Sequence, residues 1–161
     1  MSLTTDESYC TVAFADTWHA NRGALPWTTL TTTEKEQALR RATDYIEQAY
    51  RLVWKGYKTS ADQILSFPRT GVTRVGGIGY YSSSTVPTEL QSACAELAYK
   101  AAQGDLNPDL SSRVVREKID VVEVEYDKNT PQYTRYRAID LILAPLMANS
   151  PNGISRGLVR A

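Results

Sequence analysis

The chain has 161 residues, enough for one domain with its own hydrophobic core, and it contains 18 basic and 18 acidic side chains. Without a basic excess, it is unlike proteins that hold duplex DNA mainly through phosphate contacts. No apolar run approaches the roughly 18 residues of a membrane span, and residues 1–10 predict no secretory signal. Cys10 and Cys94 lack CxxC spacing, which argues against structural zinc and favours a reducing compartment.

Two helices are predicted in the first third of the chain. Residues 12–22 predict a short helix, with Thr11 as its N-cap and Gly23 just beyond its end. After a turn-rich connection, residues 33–54 repeat apolar side chains at the 3.6-residue spacing of an amphipathic helix. Gly56 is a suitable stop for this second helix. Its apolar stripe must pack against other elements of the fold.

A long loop is predicted between this helix and the next one, from about Tyr57 to Pro87. Residues 62–68 interrupt the loop with a predicted helical turn that has apolar anchors. Gly77 and Gly79 do not complete a dinucleotide-binding fingerprint, because the third glycine and a preceding strand are missing. A nucleotide cofactor is therefore not expected.

The candidate functional residues of this loop are aromatic and basic. Tyr80 and Tyr81 lie among glycines and serines, where burial in a core is unnatural. Tyrosines suit subunit interfaces, and bases stack on aromatic rings beside arginines such as Arg69 and Arg74. The residues alone leave three alternatives open: an interface with another subunit, a nucleic-acid-binding loop, or a simple connection.

The second half of the chain changes its hydrophobic period twice. Residues 88–106 predict a helix that Gly104 ends, with an alanine-rich side that lets another helix approach closely. The pattern then alternates with period two, which predicts a β-hairpin over residues 114–127. Residues 131–149 predict a last helix, which Pro145 should kink or end.

Together these elements predict a mainly α fold: a small bundle of about four helices with a β-hairpin, a long central loop and an extended C-terminal tail. Residues 1–148 are expected to form the helical domain. Residues 149–161 show no periodicity and are expected to form a tail that is extended unless bound.

The sequence presents no arrangement of side chains that favours catalysis. His19 is the single histidine, which excludes the usual multi-histidine metal sites, and we expect it to be partly buried or on the surface. The serines at 82–84 form a run and not a nucleophile elbow. The acidic residues of the predicted hairpin cannot all converge, because residues at odd spacing on a strand face opposite sides. We therefore expect no enzyme, no metal and no cofactor.

The order of segments resembles one protein family over nearly the whole chain, up to about Met147. The segments that carry the resemblance are RRATDYI at 40–46, FPR-x-GV at 67–72 and REK-x-x-x-x-EVEY at 116–126. In these segments the chain is similar to tailed-phage and prophage proteins that are labelled DnaT-like single-stranded-DNA-binding proteins. Its layout also resembles that of phage head–tail connector proteins, which are small helical bundles with a hairpin, a long loop and a tail.

The connector resemblance implies a structural adaptor that forms a ring, expected to be a dodecamer, between the portal and the tail. Its partners would be other copies of the chain, the portal protein, and a tail or stopper protein. Genomic DNA would pass through the lumen without sequence-specific binding, and no membrane would be involved. The protein would be made in the cytoplasm of the host bacterium and located in the neck of the virion.

Three groups of residues would serve this connector role. The intersubunit or tail-facing loop would use Arg69, Arg74, Tyr80 and Tyr81. The hairpin at the ring interface would use Arg116, Lys118, Glu123, Glu125 and Tyr126. The tail that docks on the portal would use Ile154, Arg156, Leu158, Val159 and Arg160.

The alternative function is that of a single-stranded-DNA-binding accessory protein of phage replication. Such a protein should show a basic groove with interleaved aromatic residues. The neutral charge of the whole chain therefore favours the connector over this alternative.

Overall fold

The computed structural model describes residues 3–76, 78–108, 114–118, 123–126 and 136–148. Within these ranges the helices are α1 (Val12–Ala20), α2 (Leu25–Thr28), α3 (Thr32–Tyr50), α4 (Thr88–Gln103) and α5 (Arg137–Leu143). The strands are β1 (Tyr57–Lys58), β2 (Arg69–Thr70), β3 (Val114–Lys118) and β4 (Glu123–Tyr126). This architecture confirms the predicted mainly α fold with a β-hairpin.

Threonine side chains start two of the helices. The predicted N-cap of α1 is confirmed, since the Thr11 hydroxyl accepts a hydrogen bond from the Phe14 amide at 3.2 Å. Thr31 and Glu34 form a capping box at α3, in which each side chain accepts from the backbone amide of the other residue. These bonds satisfy amides that the first turn of a helix leaves unpaired.

The core lies where α3 packs against α4. Both helices bury small side chains, among them Ala38 and Ala42 of α3 and Ala93 and Ala98 of α4. Small residues let two helix axes approach closely. Larger fully buried side chains fill the space around this contact, and they include Trp27, Leu39, Ile46, Leu90, Leu97, Ile139, Leu143 and Leu146.

His19 is buried in this core, which corrects the expectation of a partly buried or surface position. Its residue is only 2% exposed, and its Nε2 atom lies 3.0 Å from the carbonyl oxygen of Ala95 in α4. The ring packs against Trp27 and Tyr99, with centroids 4.7 and 5.5 Å away. Burial lowers the pKa of His19 and outweighs the opposing effect of the Ala95 carbonyl. The neutral imidazole therefore connects α1 to α4.

The chain departs from the predicted elements between α3 and α4. The helical turn predicted at 62–68 is wrong: these residues, all of them described, form turns and bends without helix. Of the three predicted apolar anchors, Leu65 and Phe67 are buried, but Ile64 is 71% exposed. A small strand pair, β1 with β2, was not predicted. Strands of two residues are too short to produce a hydrophobic period, so the sequence gives no signal for them.

The C-terminal half follows the prediction in part: Tyr136, predicted to be helical, precedes α5, and Met147 forms a bridge with Trp54 instead of continuing the helix. β3 and β4 pair antiparallel, which confirms the hairpin. The last helix ends at Leu143 and continues as a 3₁₀ turn over Ala144–Leu146, because Pro145 has no amide hydrogen for a helical bond. The predicted first turn of that helix, residues 131–135, and the predicted tail, residues 149–161, lie outside the described residues.

We expect His19 to make the stability of the fold depend on pH. Because its folded pKa lies below the ordinary value of 6.5, the unfolded chain takes up the proton more readily than the folded chain. The contribution of His19 to the free energy of unfolding should therefore have its full value above pH 6.5 and should decrease as the pH drops below that value. Urea denaturation at a series of pH values between neutral and weakly acidic measures this slope.

The His19→Gln variant provides the control for this experiment. Glutamine can still donate to the Ala95 carbonyl, but it has no proton to gain in this pH range. Its slope should therefore be flatter than that of the wild type. Since His19 is the single histidine, an unchanged slope in the variant would assign the pH dependence to other groups.

Candidate functional site

Basic and aromatic side chains concentrate in the segment that connects α3 to α4. Residues 51–81 contain five basic residues against one acidic residue, Asp62, an excess of +4 in a chain whose net charge is zero. Tyr57 and Tyr80 in the same segment are 78% and 66% exposed. We define the basic platform as these two tyrosines together with the five cations, which are Arg51, Lys55, Lys58, Arg69 and Arg74.

Two short backbone pairings set the positions of the exposed tyrosines. The pairing of β1 with β2 places Tyr57 opposite Thr70. An isolated bridge places Tyr80 opposite Thr73. Thr70 and Thr73 are three positions apart in the sequence, which is at most about 11 Å along the chain. Both aromatic residues are therefore held by one short stretch of backbone.

The chain after β2 turns back on itself in a second small hairpin. We refer to residues 72–76 and 78–81 as the tip hairpin. The Tyr81 amide donates to the Val72 carbonyl at 2.9 Å, and the Arg74 amide donates to the Gly79 carbonyl at 3.1 Å. Val72 is fully buried. The base of the tip hairpin is therefore anchored in the core.

Buried aromatic rings attach the basic platform to the helices. Trp54 lies 5.9 Å from Tyr50, the last residue of α3, and 5.1 Å from Phe67, measured between ring centroids. The Trp54 and Phe67 rings meet edge to face, a favoured arrangement of aromatic pairs. All three residues are buried. The segment is therefore fixed to the end of α3 through Trp54, on which Phe67 packs.

The residues after α5 hold the beginning of the platform from another direction. The Lys55 amide donates to the Leu146 carbonyl at 2.9 Å, and the Ala148 amide donates to the Val53 carbonyl at 2.7 Å. The Lys55 ammonium donates to the Pro145 carbonyl at 2.8 Å. Residues 53–55 are thus hydrogen bonded to the backbone that follows α5.

The Arg69 side chain hydrogen bonds to the backbone at the beginning of the same segment. Its Nε atom donates to the Lys55 carbonyl at 2.8 Å, and its Nη2 atom donates to the Gly56 carbonyl at 2.6 Å. Burial lowers the pKa of Arg69, but an arginine keeps its proton in proteins. The guanidinium is therefore engaged by its own backbone, whereas the sequence analysis assigned it to a contact with another subunit.

A carboxylate network supports the opposite side of the same loop. Glu47 of α3 accepts hydrogen bonds from the Ser66 amide and from the Ser66 hydroxyl, both at 2.8 Å. The Tyr9 hydroxyl also donates to Glu47. Burial and the neighbouring carboxylate raise the pKa of Tyr9, so its hydroxyl keeps the proton that it donates.

The positive charge of the basic platform is not neutralised by ion pairs among the described residues. The ion pairs found there are Lys35–Asp16, Arg40–Glu7 and Arg40–Glu36, all outside residues 51–81. Platform cations donate instead to carbonyl groups, as Lys58 does to Gln63 at 2.8 Å. A carbonyl group satisfies a donor but carries no formal charge. Glu47 and Glu89 lie outside these residues in the sequence but hydrogen bond to Ser66 and Tyr81, which makes five basic residues against three acidic ones. A local excess of +2 therefore remains available to an anion.

Tyr81 supports the basic platform and is not itself an exposed part of it. It is half-buried, and the Arg74 guanidinium lies 5.2 Å from its ring centroid. The Tyr81 hydroxyl donates to Glu89 at 2.7 Å. Burial and the Glu89 carboxylate raise the pKa of Tyr81 to about 12, so the hydroxyl stays a donor. Its ring holds Arg74 by a cation–π contact.

The structure brings together three of the four predicted loop residues, namely Arg74, Tyr80 and Tyr81, in the tip hairpin. It also adds residues that the sequence analysis did not single out, and these are Arg51, Lys55, Lys58 and Tyr57. A count of charges in a moving window would have detected the segment. The count over the whole chain conceals it, because acidic residues elsewhere cancel the excess.

The other predicted residues are not joined to this site by the described part of the chain. Arg116 and Lys118 of β3 are paired by their backbones with Glu125 and Glu123 of β4. The predicted docking residues of the tail, from Ile154 to Arg160, lie outside the described residues.

The described residues contain no group of three or more His, Cys, Asp or Glu side chains that could hold a metal ion. None of the helices in this part of the chain is both long and apolar enough to cross a membrane. The expectation that the chain is not an enzyme stays a prediction.

Comparison with known proteins gives one match. A family model described as "Putative DnaT-like ssDNA binding protein" matches residues 2–161. No curated protein and no solved structure matches the chain.

Gly56 should be indispensable for the frame of the basic platform. Its φ is +68°, and a Cβ atom at this position would overlap the Thr70 carbonyl oxygen. Gly23 has the same φ but nothing within 4 Å of such a Cβ atom. We expect Gly23→Ala to lower the free energy of unfolding by about 1 kcal/mol through backbone strain. Gly56→Ala should cost roughly 2 kcal/mol more.

Urea denaturation of the two variants at one pH measures both losses. Both variants place alanine at the same positive φ, so they share the cost of backbone strain. The difference between their free energies of unfolding therefore measures the clash of the added methyl group at position 56 with Thr70. Equal losses would show that the loop relaxes to accommodate the added methyl group.

Proposed function

We propose that this chain, which belongs to the family of DnaT-like single-stranded-DNA-binding proteins, binds single-stranded DNA on its basic platform. The observation that carries the proposal is the +4 excess of residues 51–81 beside two exposed tyrosine rings. A part in phage replication, as an accessory protein, belongs to the proposal and rests on the resemblance of the sequence segments alone.

The family match overturns the head–tail connector interpretation. Its description names single-stranded DNA, and it supports neither a structural ring nor the portal, tail and stopper proteins as partners. The match tests neither the roles assigned to the hairpin and tail residues nor the location in a virion neck, and these stay predictions. The neutral charge of the whole chain was the wrong criterion, since the excess is local.

Single-stranded DNA offers two groups that suit the platform. Its phosphates attract cations, and its unstacked bases present flat faces that pack on aromatic rings. Arg51, Lys58 and Arg74 are exposed, as are Tyr57 and Tyr80. Duplex DNA offers the same phosphates, but its bases are stacked on each other. Exposed tyrosine rings beside unpaired cations therefore favour the single strand.

Backbone contacts that already exist in the free protein should reduce the entropy that the platform loses on binding. The Arg69 guanidinium, the Gly56 turn and the contact with the residues after α5 all fix its backbone in the free protein. A surface that is ordered before binding avoids much of the cost of immobilising its side chains and loops.

Removing either exposed ring should weaken binding of a labelled thymidine oligonucleotide. Stacking of one base on one aromatic ring contributes about 1–3 kcal/mol, so Tyr57→Ala and Tyr80→Ala should each raise the Kd about tenfold. Tyr57→Phe and Tyr80→Phe keep the ring and should bind nearly as well as the wild type. Fluorescence anisotropy measures these constants.

Leu25→Ala is the matched control, because Leu25 is 73% exposed but belongs to α2. It should leave the Kd unchanged. Loss of affinity in this variant, or full affinity in both tyrosine-to-alanine variants, would contradict stacking on the platform.

The cations should determine how binding depends on salt. Each phosphate contact on a single strand contributes about 0.7 to the slope of log K against log salt concentration, and this slope should fall by that amount in Arg51→Gln and in Arg74→Gln. Arg40→Gln removes the same charge from a residue that is paired with Glu7 and Glu36. An equal fall of the slope in Arg40→Gln would mean that only net charge matters.

A further inference from the structure

The tip hairpin carries apolar side chains that the proposed stacking does not use. Val75 is 73% exposed and Ile78 is 86% exposed, whereas Val72 at the base of the same hairpin is fully buried. Large aliphatic side chains at this degree of exposure lose the stabilisation that burial would bring. Their position at the far end of a hairpin suggests contact with another molecule.

The backbone of the tip projects these side chains without support from the core. Gly76 and Gly79 have φ values of +92° and +76°, which allow the chain to reverse tightly between Arg74 and Tyr80. A Cβ atom built at either glycine meets nothing within 4 Å. The end of the hairpin therefore stands in open space, while the bond from Arg74 to Gly79 closes it.

The two apolar residues are close in the sequence to groups that would bind the DNA. Arg74 is the neighbour of Val75, and Tyr80 follows Ile78 by two positions. Arg74 is exposed and kept over the Tyr81 ring, and Tyr80 is one of the two stacking candidates. A strand that stacks on Tyr80 would thus bring its neighbouring nucleotides against Val75 and Ile78.

We propose, on the basis of the proposed function, that the tip hairpin recognises the junction between single-stranded and duplex DNA. Val75 and Ile78 cover the exposed face of the last base pair, while the single-stranded arm runs along the basic platform. The face of a terminal base pair is flat and apolar, and aliphatic side chains are known to pack against bases and to interrupt their stacking. The substrate class is therefore a tailed duplex.

The charge around the tip favours DNA over a second copy of the chain as the occupant. Residues 51–81, which include the tip hairpin, hold five cations against one acid, so two copies meeting at their tips would bring like charges together. A polyanion with an apolar end face complements both features. Self-association through the tip is nevertheless an outcome that the experiment below detects.

The experiment compares two labelled probes by fluorescence anisotropy. One is a thymidine oligonucleotide, and the other is a DNA hairpin that carries the same thymidine stretch as a tail. The wild type should bind the tailed hairpin at least about tenfold more tightly than the tail alone, which is the gain expected for burying one large apolar side chain. Val75→Ser/Ile78→Ser should bind both probes with the affinity that the wild type has for the tail.

Ile64→Ser is the matched control, since Ile64 is another exposed isoleucine, 71% exposed, outside the tip hairpin. It should keep the preference for the tailed hairpin. Circular dichroism establishes that all variants are folded, and the affinity for the tail alone shows that their platforms are intact.

The outcomes separate this inference from the function on which it rests. A wild type that binds the tail but gains nothing from the duplex overturns the junction proposal and leaves the proposed function standing. A wild type that binds neither probe overturns both. If sedimentation shows that the wild type self-associates and that Val75→Ser/Ile78→Ser abolishes the association, the tip is a contact between copies, and the junction proposal is wrong.

Discussion

The close packing of α3 against α4 is the constraint on which the rest of the structure depends. Alanines of both helices are fully buried, and the Cys94 thiol of α4 lies 3.5 Å from the Thr43 hydroxyl of α3. The end of α3 and the start of α4 also delimit the segment that holds the basic platform. Because both boundaries of that segment are fixed by one helix pair, its loops begin and end in a rigid frame. A larger side chain in place of Ala42 or Ala98 would move the helices apart and disturb the platform from a distance.

Two cations of the platform, Arg69 and Lys55, both stabilise its backbone and contribute to its positive charge. Arg69 and Lys55 donate hydrogen bonds to backbone carbonyl groups. These carbonyl groups lie where the chain lacks regular secondary structure, so the side chains provide the hydrogen bonds that a helix or sheet would otherwise provide. No described acid forms an ion pair with them, so the charges persist after the loop has folded. A loop stabilised by ion pairs would have been equally ordered but electrically neutral. The same residues therefore build the surface and give it its sign.

The helices α1, α3, α4 and α5 could be predicted from the sequence because their signals are local, whereas the four-residue α2 was expected to be a turn-rich connection. The period of α3 and α4 and the cap at Thr11 lie within a few residues of each other, and each agrees with the structure. The platform could not be predicted in the same way. Arg69 acts on carbonyl groups 14 and 13 positions away, and β1 and β2 are two residues long. His19 was misjudged since its burial depends on contacts with Trp27 and Tyr99 that form only when α1, α2 and α4 are assembled.

The unequal distribution of charge has a consequence for the approach of a partner. With five basic residues and one acidic residue assigned to residues 51–81, the remaining 13 basic and 17 acidic residues carry a net charge of −4. The basic excess of this segment is thus balanced by an acidic excess elsewhere in the sequence. The field of a polyanion attracts the basic segment and repels the acidic residues, so it turns the basic segment toward the polyanion although the whole chain is neutral. The protein would therefore meet DNA preferentially with this segment forward, an orientation that a uniformly basic protein of the same size would not select.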